Sequence, residues 1–101
     1  MKFNSILIGS QLYLLDNGNY LRVCDIVDDP EYEYGYDLFD GETKRLIDGG
    51  VFRFDHTVKD VDTVIRSALD WCDLDPDKTQ YEFVTDDAEY DDLYELGFRG
   101  F

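Results

Sequence analysis

The chain has 101 residues, 24 of them Asp or Glu and nine Lys or Arg, for a formal net charge of −15. With 44% hydrophobic and 16% aromatic residues it is too apolar for a disordered acidic tail, and one folded domain is expected at this length. Repulsion argues against direct contact with nucleic-acid phosphates and excludes an anionic membrane surface.

The first half reads as strands. Phe3–Ile8 and Gln11–Leu15 are apolar and bounded by Gly9-Ser10 and by Asp16-Asn17-Gly18-Asn19, which holds an Asn-Gly turn signal. The apolar run Ile6–Ile8 is too short for a signal peptide or a membrane span, so a cytoplasmic protein is expected. Tyr20–Val27 alternates, with Leu21, Val23 and Asp25 on one face and Tyr20, Arg22, Cys24 and Ile26 on the other. Asp28-Asp29-Pro30 breaks the run and Tyr32–Phe39 resumes it. Asp40–Thr43 turns the chain, Lys44–Ile47 returns, and Asp48-Gly49-Gly50 reads as a turn or bulge before Val51–Phe54.

The period then changes. Val61, Ile65, Ala68 and Cys72 recur at helical spacing, widened by Val64, Leu69 and Trp71, so a helix is predicted from about Lys59 to Asp73. Tyr81–Thr85 is a further strand. Asp86–Leu96 reads as a short helix closed by Gly97, with Ala88, Leu93 and Leu96 as core contacts. The expected fold is α+β: an antiparallel sheet of four to six short strands, with one main helix and a short C-terminal helix packed on one face.

Catalytic groups are sparse. His56 is the sole histidine and reads as a surface or capping residue, so no His-based metal site forms from this chain alone. The serines lack a nucleophile-elbow context, and no glycine loop has phosphate-binding spacing. Cys24 and Cys72 sit in apolar contexts and read as free thiols. Asp73, Asp75 and Asp77 alternate as in a calcium loop, but Lys78 stands at the glycine position and Val84 at the bidentate Glu, so a solvated acidic turn is expected. No enzyme activity, metal or cofactor is predicted.

The excess charge is spread through the folded body: residues 1–50 carry ten acids and four bases, residues 51–101 fourteen and five. Two clusters interleave acids with tyrosine. Asp28, Asp29, Glu31 and Glu33 flank Tyr32, Tyr34 and Tyr36; Asp86, Asp87, Glu89, Asp91, Asp92 and Glu95 surround Tyr90 and Tyr94. In a strand, Glu31 and Glu33 point the same way about 6.6 Å apart. In a helix, Asp87, Asp91 and Glu95 form one stripe with steps of about 6 Å, of the order of phosphate spacing along a nucleic-acid strand. Tyrosine suits interface anchoring, and the field draws in basic partners.

In size, charge and Asp/Glu/Tyr texture the whole chain resembles the small acidic inhibitors of phages and mobile elements, including anti-CRISPR proteins and antirestriction DNA mimics. The resemblance implies a non-enzymatic inhibitor acting in a bacterial host's cytoplasm. Its partner would be a basic nucleic-acid-binding nuclease, such as an RNA-guided effector, blocked in its DNA- or PAM-binding groove. Two further readings stand beside it: an immunity protein or antitoxin against a toxin nuclease, and an acidic accessory interaction domain.

Overall fold

A computed structural model describes residues 9–25, 34–52 and 61–101. The predicted strand Phe3–Ile8, His56, and the cluster residues Asp28, Asp29, Glu31, Tyr32 and Glu33 lie outside them.

Five strands and two helices follow in the order β1 (Ser10–Leu15), β2 (Tyr20–Asp25), β3 (Tyr34–Phe39), β4 (Leu46–Phe52), α1 (Val61–Trp71), β5 (Tyr81–Thr85) and α2 (Tyr90–Glu95). They form an α+β fold around one open antiparallel sheet of order β4-β3-β2-β1-β5. Short local turns connect β1 to β2 and β3 to β4. At the first, Asn17 Oδ1 accepts the Asn19 amide at 2.9 Å while Gly18 supplies a φ of 90°. At the second, Asp40 Oδ1 accepts the amides of Glu42 and Thr43, which holds its carboxyl below the ordinary range. No helix among the described residues is long and apolar enough to cross a membrane.

The two turns meet at one end of the sheet. Asn19 Oδ1 accepts the Gly41 amide at 3.0 Å, and a Cβ on Gly41 would lie 1.8 Å from the Gly18 carbonyl oxygen. Because that obstacle is backbone, Gly41→Ala must push the turns apart. A loss of about 1–3 kcal/mol is expected, read as a lower urea midpoint at unchanged slope. An unmoved midpoint would mean the turns separate freely.

The sequence predicts two short strands around Asp48-Gly49-Gly50, whereas β4 runs unbroken through them. The irregularity falls earlier, as a register shift opposite Leu38 and Phe39. The two glycines are required by their neighbours across the ladder. A Cβ on Gly49 would come within 3.0 Å of Asp37 Oδ1, and one on Gly50 within 3.1 Å of the Tyr36 ring. Missing side chains here accommodate β3; they do not turn the chain.

Strand alternation buries both faces of the central sheet. On one face Tyr13, Leu15, Leu21, Val23, Tyr36 and Leu38 pack against Val64, Ile65, Ala68 and Leu69 of α1. On the other, Leu12 and Phe39 pack against Ala88, Leu93 and Phe98, from α2 and its flanks. The expectation of both helices on one face is therefore corrected. The reason lies in β1 and β3, which carry buried residues on both sides of the pleat, so each face needs a cover. Trp71, expected in the α1 stripe, is 60% exposed, while Cys72 and Leu74 just beyond pack against the core.

Candidate partner-binding face

The α2 side of the sheet is organised by a buried charge. Arg22 of β2 and Asp37 of β3 are cross-strand partners, so their side chains emerge side by side. Arg22 Nη1 donates to Asp37 Oδ2 at 2.9 Å, with side chains only 4% and 12% exposed. The other Arg22 donors are also engaged. Nε reaches the Ala88 carbonyl at 2.5 Å, Nη2 reaches Ser10 Oγ at 2.8 Å, and Nη1 approaches Cys24 Sγ at 3.5 Å. Glu89 Oε2 lies 3.5 Å from Nη2. The guanidinium thereby joins β1, β2, β3 and the approach to α2.

Tyr90 closes this network from above. Its hydroxyl donates to Asp37 Oδ2 at 3.2 Å, and Arg22 Cζ lies 4.4 Å from the centre of its ring. Phe101 stacks on the same ring at 5.0 Å. Burial and the adjacent Asp37 carboxylate raise the Tyr90 pKa, keeping the phenol protonated. For Arg22, burial opposes the charge, but Cys24, Asp37 and Tyr90 outweigh it and its pKa rises. Beside this network lies a shallow concavity of about 400 Å³, lined by Cys24, Gly35, Asp37, Val51 and Tyr90 among others.

Both cysteine thiols are shifted toward the protonated form. Burial raises the Cys24 thiol, with Asp37 adding to the shift against the opposing pull of Arg22. Burial, then the charges of Asp48 and Asp73, push Cys72 up to about 12. Slow alkylation of both native thiols at pH 8 is therefore expected, accelerating on unfolding in urea. For Cys72 the raised folded value favours the native state below the unfolded pKa near 9. That contribution drains away as pH climbs toward about 12. Rapid modification of native protein at pH 8, followed by mass spectrometry, would contradict this.

The structure divides the predicted site residues. Tyr34 is 1% exposed and packs against the Phe52 ring at 6.0 Å, so it is a core residue and its assignment to a partner-binding face is corrected. Tyr36 is buried too. The predicted helix over 86–96 begins only at Tyr90, so Asp87 precedes it, bridging to Ser10, and the three-acid helical stripe shrinks to Asp91 and Glu95. The cause is local: Thr85 Oγ1 accepts the Asp87 amide, and the buried Ala88 anchors an extended approach. Glu89 is the N-cap, and the Asp92 carboxylate accepts its amide at 3.2 Å.

What remains exposed is one acidic and aromatic surface. Asp86, Asp87, Asp91 and Glu95 are exposed, and none pairs with a described cation. Tyr90, Tyr94, Leu96 and Phe101 expose large apolar area beside them. The nearby cations serve the helix end instead: Lys44 Nζ donates to the Leu96 carbonyl and Arg99 Nη1 to those of Tyr94 and Phe98. Arg99 also covers one side of the Tyr94 ring at 3.8 Å. In the Asp73–Asp77 turn, Asp75 Oδ1 accepts the Asp77 amide, and Asp77 pairs with Arg66. Among the described residues no group of three or more His, Cys, Asp or Glu is placed to hold a metal ion.

Sequence reading misses the Arg22–Asp37 pair. Its signal is a charge set inside each of two apolar strands, at Leu21-Arg22-Val23 and Tyr36-Asp37-Leu38. Two lone opposite charges on adjacent buried strands are a pairing cue, because either one alone would be too costly to bury. Compared with protein-family models, curated proteins and solved structures, the chain matches none.

Proposed function

We propose that the chain is a non-enzymatic acidic inhibitor that lays its α2 face on the basic, nucleic-acid-binding surface of a bacterial defence nuclease. The observation carrying this reading is the set of exposed acids Asp86, Asp87, Asp91 and Glu95, unpaired with any described cation and framed by exposed Tyr90 and Tyr94. Asp91 and Glu95 stand one turn apart on α2, a rise of about 6 Å. The aromatic rings supply the rigid contact area that charge alone lacks. The polar groups of the adjacent concavity are committed to holding α2 on the sheet, which favours a binding surface over a reaction centre.

The test is capture on the immobilised chain from bacterial lysates containing defence nucleases, with elution by salt or by nucleic acid. Recovery of a nuclease that its own DNA or guide duplex displaces supports groove blocking. A nuclease held equally well with its nucleic acid bound, or no basic partner at all, refutes it.

A further inference from the structure

β5 is the outermost strand beside β1, and among the described residues its far edge pairs with nothing. Such an edge offers a row of backbone donors and acceptors, which proteins ordinarily blunt with Lys, Pro or a covering segment. β5 contains neither Lys nor Pro: it reads Tyr-Glu-Phe-Val-Thr. Its Phe83 and Val84 are 54% and 45% exposed. Phe83 is held edge-on against Tyr13 at 5.8 Å, so it stands as a fixed apolar contact at the rim of the sheet. The opposite edge, β4, is a poorer template, because Gly49-Gly50 leave its centre without side chains for cross-strand contact.

Charge selects the occupant. Glu82 lies on the strand and Asp86 and Asp87 just beyond it, all exposed and none in an ion pair with a described residue. Lys78, three residues before the strand, is the nearest cation along the chain. A second copy would bring the same acidic edge against this one, with like charges opposed. We propose that β5 accepts an added strand from a basic partner: an extended segment alternating apolar side chains with Lys or Arg. The two-residue period of a strand sets the apolar side chains beside Phe83 and the cations on the other face, where Glu82 lies. The edge shares Asp86 and Asp87 with the α2 face, but its backbone donors and acceptors and Phe83 belong to β5, so the inference goes beyond the function proposed above.

The test titrates the isotopically labelled full chain with a Lys-Val alternating peptide of about eight residues, the length of an ordinary strand. The expected result is shifted and exchange-protected amides within Glu82–Thr85. Affinity should fall about tenfold when alternate peptide nitrogens are methylated, because that removes backbone donors and leaves the charge intact. The β5 response should also survive in an Asp91→Lys/Glu95→Lys variant, whatever becomes of the α2 reading. Equal binding by the methylated peptide would overturn the proposal. So would shifts confined to Asp91–Glu95, or no binding at all.

Discussion

Arg22→Met is expected to cost about 3–5 kcal/mol of folding stability, the usual consequence of stripping one partner from a buried ion pair. Asp37 would be left in a nearly closed site, its carboxylate facing Tyr90 but no cation. The Ala88 carbonyl and Ser10 hydroxyl would lose their donor as well, and with it the tie that draws α2 onto the sheet. Glu89 suffers least, since its side chain is 63% exposed and can turn to water. Urea unfolding checks the prediction through the midpoint, with the slope reporting whether the native state stays compact. The double variant Arg22→Met/Asp37→Leu should recover much of the loss, because an apolar pair of similar bulk leaves no uncompensated charge. A single variant within about 1 kcal/mol of the parent would show that water reaches Asp37 freely.

How much of this was legible in advance depends on the range of the interaction that decides each feature. β2 and β5 are local patterns, alternation or a short β-prone run between breakers, and their bounds agree closely with the sequence reading. The α1 stripe is equally local: Val64, Ile65, Ala68 and Leu69 face the core as periodicity requires. The face each helix covers is not local. Leu12 and Phe39 on one side, and Leu21 and Val23 on the other, are all buried, but the local pattern led to both helices on one face because it does not carry the contacts that assign each helix its side. Tyr34 and Tyr90 show the same limit. Both sit among acids in sequence, yet Tyr34 falls on the pleat facing Phe52 while Tyr90 lies over Arg22. Long-range placement separates them: strand pairing sets Tyr34 against Phe52, and packing of α2 on the sheet sets Tyr90 over Arg22.

On the α2 face, Asp91→Lys/Glu95→Lys is expected to weaken capture of the proposed basic partner by about tenfold to a hundredfold, or about 1.4–2.8 kcal/mol. Much of the loss should appear as slower association, and it should shrink as salt rises. The fold should persist. Asp91 occupies the first turn of α2, where a negative charge is favourable, and Glu95 ends the helix, where it is not. Reversing both therefore exchanges a small loss for a small gain, each about 0.3–1 kcal/mol. The matching control is Asp62→Lys/Asp70→Lys on α1, which lies on the other face of the sheet. There too one exposed acid stands in the first turn and the other near the end. Both variants raise the net charge from −15 by four, so any effect of overall charge is the same in each. Loss of binding confined to the α2 variant assigns recognition to that face. Equal losses would mean that the partner responds to the summed field of the whole chain, and unchanged affinity in both would remove the acids from recognition altogether.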